Sequence, residues 1–392
     1  MAPRAFLWTA LALAGSCLLS LPAPECMCGR RPSQIVYYEL EPADVHFPGP
    51  TVVQVLPKGP GNVVHIRFEM ARPDGSTEEV FMHTTDEGRS WVKDFGPPTA
   101  AFSRPIYRTT EDNTLERSID GREWRHAEIR IDGQDSTEFS RRVSQREDAR
   151  MEVQLAAVDP KDSATIYACL SVSFAARRRA GVAEKMPLNL PGLYVSHDGG
   201  DNWALFSSAL RGLSSQGHCV LGISPSNPSI MVGHGTAGVV ITRDGGRTWQ
   251  PVGDQADLEK PAPLRGYAKA RAELESKRRT PQRDWPFDWT QLVLLKVAFH
   301  PDNDNVMYLA TNKGLYRTED AAKTWCLLDT GSPTLFDVGD VYVDPYNPSK
   351  VFVGTSTKIL VSDDSGCHFR VLFDWEDYNE RRPFGSGNPT VR

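Results

Sequence analysis

Residues Thr242-Arg243-Asp244-Gly245-Gly246-Arg247-Thr248-Trp249 decide the fold, because the same order of residue types returns along the chain. Close copies are Thr84 to Trp91 (TTDEGRSW), Ser196 to Trp203 (SHDGGDNW) and Thr318 to Trp325 (TEDAAKTW, with Ala322 for the second glycine). Looser copies are Ser118 to Trp124 (SIDGREW), one residue short, and Ser362 to Phe369 (SDDSGCHF), with Phe for Trp. Apolar runs precede most of them: Val80–Met82, Leu193–Val195, Val239–Ile241, Leu315–Tyr316 and Ile359–Val361. An aspartate in a turn accepts hydrogen bonds from backbone N–H groups a few residues on. Glycine supplies a positive φ, and the aromatic that starts the next strand buries a large apolar surface. Each copy therefore reads as a self-capped hairpin turn, and Asp86, Asp120, Asp198, Asp244, Asp320 and Asp364 as structural residues.

A second repeat lies upstream of the first. It is Val158-Asp159-Pro160 to Tyr167, Ile223-Ser224-Pro225 to Met231, Phe299-His300-Pro301 to Tyr308, and Val343-Asp344-Pro345 to Phe352. Each is an apolar strand, a Pro/Asn turn and another apolar strand. One unit is thus strand A, Pro/Asn turn, strand B, loop, strand C, aspartate turn, strand D. Four antiparallel strands in about 45 residues make one blade of a β-propeller.

These residues resemble the BNR or Asp-box repeat of sialidases, sortilin-type receptors and xyloglucanases. The resemblance covers residues 50–373 and implies an all-β propeller with four-stranded antiparallel blades. It does not choose between enzymes and binding proteins, since the family contains both.

The intervals from Asp120 to Asp198 and from Asp244 to Asp320 are long enough to hide a blade. Residues 126–150 and 254–290 are charged or lack an apolar alternation, so neither is read as one. Six blades are expected, with seven as the alternative if Gln34 to Leu40 joins the tail, residues 374–392.

The rest of the chain bounds its setting. Arg4 precedes an apolar stretch from Ala5 to Leu21, so residues 1–23 read as a signal peptide and 24–49 as an N-terminal segment. Ala14-Gly15-Ser16 before Cys17 leaves a lipoprotein signal open as an alternative, with attachment to a membrane by an N-terminal lipid. The expected location is secreted or cell envelope, periplasmic or lipid-anchored in a bacterium, and the expected state is a monomer. A net charge of −6 argues against a nucleic-acid partner. No cofactor and no metal are assigned; Cys26-Met27-Cys28 alone, without a histidine, is a weak soft-metal pattern. Cys169 on strand B of the third blade and Cys219 on strand A of the fourth are the best candidate disulfide, and Cys326 and Cys367 read as too far apart to bridge each other.

Function is read from loop placement. In this topology the Pro/Asn and aspartate turns share one end, while the B–C loops and D–A connections share the other. The large insertions, residues 126–150, 172–191 and 253–290, all belong to the second end. Long loops at one end of a rigid scaffold are where binding concentrates. Arg177, Arg178 and Arg179 form a cationic tip there, and Trp285 and Trp289 lie in Asp284-Trp285-Pro286-Phe287-Asp288-Trp289, a mix of rings and carboxylates suited to sugars. The leading reading is a carbohydrate- or protein-binding module that uses this end. The alternative is a glycoside hydrolase. A sialidase-like enzyme would need an arginine cluster and a Tyr–Glu nucleophile pair, of which Gly29-Arg30-Arg31-Pro32 is only a faint echo. An inverting hydrolase would need two facing carboxylates, with Asp284, Asp288, Asp337 and Asp340 as candidates.

Overall fold

A computed structural model of the chain describes residues 50–58, 61–71, 77–95, 105–109, 114–119, 123–127, 129–132, 149–174, 188–190, 192–210, 219–235, 238–252, 292–331 and 338–380. They form six successive sheets. Blade 1 is β1 (Thr51–Lys58), β2 (Gly61–Ala71), β3 (Thr77–Thr84) and β4 (Val92–Asp94). Blade 2 is β5 (Ile106–Thr109), β6 (Leu115–Ser118) and β7 (Arg125–His126). β8 (Arg130–Asp132) follows, then blade 3 with β9 (Ala149–Val158), β10 (Ile166–Phe174), β11 (Leu188–Asn189), β12 (Leu193–Ser196) and β13 (Asn202–Ser207). Blade 4 is β14 (Leu221–Ile223), β15 (Met231–Gly235), β16 (Gly238–Thr242) and β17 (Gln250–Pro251). Blade 5 is β18 (Leu294–His300), β19 (Asn303–Thr311), β20 (Gly314–Thr318) and β21 (Cys326–Leu327). Blade 6 is β22 (Val338–Val343), β23 (Val351–Thr355), β24 (Lys358–Ser362) and β25 (Arg370–Asp374), followed by the short helix α1 (Trp375–Glu380). The chain is an all-β six-bladed propeller.

The core is a series of layers between blades. Blades 2 and 3 pack through Leu115, Val153, Ile166 and Trp203; blades 3 and 4 through Tyr167, Leu193, Met231 and Val240. Val232 and Ile241 meet Leu294 and Met307 between blades 4 and 5, and Leu315 meets Val341 and Val353 between blades 5 and 6. Val64, Ile66, Phe68 and Met82 of blade 1 pack on Phe352, Ile359 and Phe373 of blade 6, and Trp375 and Tyr378 of α1 meet Phe68 with tilted and edge-on rings. Strands buried on both faces read as continuous apolar runs, as VVI in β16 and VFV in β23 do, because each face meets a neighbouring blade. Each fully buried side chain of this size stabilises the fold by about 1.5–3 kcal/mol.

The aspartate turns follow one hydrogen-bond scheme. In the box of blade 4, Thr242 Oγ1 donates to Asp244 Oδ1 at 2.7 Å and accepts from Gly246 N at 2.9 Å. The same aspartate takes Thr248 N at 2.9 Å on Oδ1 and Thr248 Oγ1 at 2.6 Å on Oδ2. Asp86, Asp198, Asp320 and Asp364 repeat this, with Ser90, Asn202, Thr324 and His368 in the place of Thr248. Asparagine and histidine thus serve where the sequence pattern asks for a hydroxyl, because what the position needs is a side-chain donor. The turn requires two successive positive φ values, 71° and 88° at Gly245 and Gly246. Blade 5 adopts the same turn with Ala321 and Ala322, at 60° and 68°. Gly246 is also needed for space, since a Cβ there would lie 2.3 Å from Phe206. Asp120 lies outside the described residues.

Two features depart from the sequence reading. Residues 126–150 are read as a long D–A connection that holds no blade, and they contribute one short strand: β8 pairs in parallel with β13 on the outer edge of blade 3, and Arg130 N donates to Asp201 O at 2.8 Å. The six blades are unaffected, because β8 extends an existing sheet. The insertion between β10 and β12 likewise contributes β11, paired to β10. The Cys169–Cys219 disulfide is present, with Cα atoms 5.9 Å apart, and Cys326 and Cys367 each take part in a disulfide of their own.

Candidate functional site

The two ends of the propeller differ in kind. At one end four of the five described aspartate turns bond to the strand A–strand B turn of their own blade: Gly199 N to Ala164 O, Gly245 N to Ser229 O, Ala321 N to Asn305 O and Ser365 N to Ser349 O, at 2.7–3.1 Å. Bonds between blades close the same end. Tyr107 and Arg117 reach Ser163 O and Asp198 O of the next blade, Lys161 reaches Ser226 O, and Ser224 and Ser226 donate to Asp304. Tyr308 Oη donates to Ser365 O at 3.0 Å, and Asn62 to Asp344 at 2.7 Å.

The aspartates of this end are held ionised by their own loops. Hydrogen bonds from Thr248 and Thr242 bring the Asp244 carboxyl down to about 2. Burial pushes Asp198 and Asp364 up, but the donors of Asn202 and Ser196, and of His368 and Ser362, outweigh it and bring both to about 2. Both oxygens of each carboxylate are engaged, so these groups are committed to the turns and not to chemistry.

The opposite end is built differently. The first strands of successive blades lie side by side, β5 by β9, β9 by β14, β14 by β18, β18 by β22 and β22 by β1, which sets them around the propeller axis. β18 and β22 each carry a bulge one residue from the start, between Leu294 and Lys296 and between Val338 and Asp340. Bulges re-aim the side chains that follow them. Lys296 and Asp340 therefore occupy the same rung of adjacent inner strands, close to where the D–A connections enter. Lys296 is exposed and Asp340 half-buried.

Burial pushes the Asp340 carboxyl above its ordinary range, against the opposing pull of Lys296, the Val341 N–H and Arg67 of β2. Gly354, opposite Asp340 on β23, leaves room for it: a Cβ there would lie 3.1 Å from Asp340 Cβ and 2.7 Å from Pro50 O. Among the described residues the charges acting on Asp340 are both cationic, so it is not half of a carboxylate pair there. An axial carboxyl in electrostatic reach of Lys296 and Arg67 can accept hydrogen bonds from a polar ligand while the exposed Lys296 binds an anionic or hydroxylated one; Arg67 is itself paired with Glu79 at 3.0 Å.

The other residues singled out from the sequence, Arg177, Arg178, Arg179, Trp285, Trp289, Asp284, Asp288 and Asp337, lie outside the described residues. The strands that flank them end on the same side as Lys296 and Asp340: β10 and β11 around the arginines, β17 and β18 around the tryptophans. Sequence reasoning picked Asp340 but missed Lys296 and Arg67. No local motif marks them, and their relation to Asp340 depends on strand register.

No family model matches the chain, and no curated protein matches it. Solved structures do. An ancestral GH74 enzyme is 16% identical over 70% of this chain and 30% of its own, with a TM-score of 0.38. YCF48 bound to D1 peptide is 14% identical over 86% of this chain and 88% of its own, with a TM-score of 0.34. The extracellular domain of a hybrid two-component system from B. thetaiotaomicron is 8% identical over 84% and 39%, with a TM-score of 0.39. The chain spans less than a third of the length of the GH74 enzyme. These likenesses concern the propeller fold and carry nothing about activity.

Proposed function

We propose that this chain is an exported Asp-box propeller that binds a carbohydrate or a protein at the end where its long connections enter. The supporting observation is the asymmetry of the two ends. One end is consumed by hydrogen bonds within and between blades, whereas the other presents Lys296 and Asp340 on adjacent inner strands, with Arg67 of β2 in electrostatic reach of Asp340. The insertions with Arg177–Arg179, Trp285 and Trp289 attach at that second end, and rigid scaffolds place recognition on such loops. Aromatic rings stack on sugar C–H faces, while the cations and carboxylates bind hydroxyls and acidic substituents. The chain acts outside the cytoplasm, as a monomer, with the N-terminal segment 1–23 directing export.

A second reading rests on Asp340. A carboxyl whose burial favours its protonated form is suited to act as a general acid at a glycosidic oxygen. Such a hydrolase would need a second carboxylate, for which Asp284, Asp288 and Asp337 are the candidates.

Purified protein screened against glycan arrays and chromogenic glycosides separates the two. Binding without turnover that is lost in the Arg177→Ala/Arg178→Ala/Arg179→Ala variant, and in Trp285→Ala and Trp289→Ala, supports the binding module. Full binding by all of these variants removes the long-loop end as the site. Turnover abolished by Asp340→Asn favours the hydrolase.

A further inference from the structure

Blade 1 carries a cluster that the proposed function does not use. Strand alternation sends Val64, Ile66 and Phe68 of β2, and Val80 and Met82 of β3, into the layer against blade 6. His65 and His83 therefore project from the opposite face, where they are direct cross-strand partners with ring centroids 5.3 Å apart. On β4, Asp94 pairs with Phe81, two residues from His83 and on the same face. Its carboxylate sits between the two imidazoles, with Oδ1 2.7 Å from His83 Nδ1 and Oδ2 3.3 Å from His65 Nδ1. One ligand atom from each residue can be chosen so that all lie within 4.8 Å of one another, and all three residues are half-buried.

We propose that His65, His83 and Asp94 form a binding site for a divalent transition-metal ion, Zn²⁺ in the first instance, on the face of blade 1 turned away from blade 6. Two imidazoles and a carboxylate are a donor set that Zn²⁺ takes with bonds of about 2.0–2.2 Å. In a tetrahedron of such bonds the ligand atoms are about 3.3 Å apart. The present spacing, 2.7 and 3.3 Å from the carboxylate to the two Nδ1 atoms, already lies close to that value, and the three residues sit on adjacent strands of one antiparallel sheet. An imidazole with its proton on Nε2 offers Nδ1, the nitrogen that already faces Asp94 in both histidines, to the metal. Three protein ligands leave a coordination position open for water or a further ligand. Among the described residues the set has three members, the number that open zinc sites carry.

The test is isothermal titration of the chelator-treated full chain with Zn²⁺, repeated on His65→Gln, His83→Gln, Asp94→Asn and the control His300→Gln. Loss of an outer-shell partner alone weakens metal binding by roughly 10–100-fold, so loss of a ligand should weaken it by at least about 100-fold, with the control unchanged. A measurement on the unmodified protein covers the case in which a variant fails to fold. Zn²⁺ should protect His65 and His83 from acylation by diethyl pyrocarbonate, read by peptide mass, while His300 stays reactive. Equal modification of His65 and His83 with and without Zn²⁺, or wild-type affinity in the His65→Gln/His83→Gln double variant, overturns the site.

Discussion

Asn62 of blade 1 donates its side-chain amide to Asp344 of blade 6 at 2.7 Å, joining the first and last blades across 282 residues of chain. Asp344 is fully buried and also caps its own turn by accepting from Tyr346 N and Asn347 N. Among the described residues no strand is exchanged between these blades: blade 6 is one continuous stretch, β22 to β25. Closure therefore rests on this bond, on the apolar layer of Phe68, Phe373 and α1, and on Lys350 and Arg370 beside Glu87.

Removing the Asn62 amide strands one oxygen of a buried carboxylate. Asn62→Ala should lower stability by about 1–3 kcal/mol, measured by urea unfolding. Asp344→Ala should cost more, because the turn donors of Tyr346 and Asn347 lose their acceptor as well. Equal stability of Asn62→Ala and wild type would show that the bond does not hold the ring.

The box aromatics are not equivalent. Trp203 is 0% exposed and donates Nε1 to Gly200 O at 2.7 Å, whereas Trp249 is half-buried with the corresponding bond at 3.1 Å. Trp203→Ala should cost about 3–5 kcal/mol as a buried large-to-small change. Trp249→Ala should cost visibly less. Calorimetric melting of the pair checks the order, and the reverse order contradicts it.

Acid should weaken the aspartate turns within a defined window. Asp198, Asp244 and Asp364 fall from the ordinary 3.8 to about 2 in the folded chain. A carboxyl depressed on folding stabilises the native state above its unfolded value, and that contribution fades as pH drops toward the folded value. Melting temperature should therefore fall between about pH 4 and pH 2. Asp198→Asn and Asp364→Asn should each flatten that fall, and an unchanged slope in both would assign acid sensitivity elsewhere.

The Cys169–Cys219 disulfide closes a loop of 50 residues between blades 3 and 4. By loop-closure entropy its loss should cost about 4 kcal/mol. Paired Cys169→Ala/Cys219→Ala substitution, compared with the oxidised wild type by guanidinium unfolding, measures it. A loss below about 1 kcal/mol would mean that the apolar layer around the two sulfurs already sets the blade spacing.

Much of this molecule was legible because its decisive contacts are local. Thr242, Asp244 and Thr248 satisfy one another within eight residues, so their order alone announces the turn, and its recurrence announces the blade. Even Cys169 and Cys219 could be paired in advance, since the repeat places strand B of one blade beside strand A of the next. The short strand β8 could not be read, because Arg130-Ile131-Asp132 has no apolar alternation and is a strand only by virtue of the β13 edge it meets.

The sites divide in the same way. The chain order alone determined which connections are long and at which end they enter, because strand direction alternates through every blade. It could not tell that Lys296 and Asp340 share a rung, since that rests on matching bulges in β18 and β22. Nor could it bring His65, His83 and Asp94 together, because three strands must pair in one register before their side chains share a face. Turn chemistry is written in consecutive residues, whereas register is decided by the packing of whole sheets, and a one-residue slip would send each of these side chains to the other face.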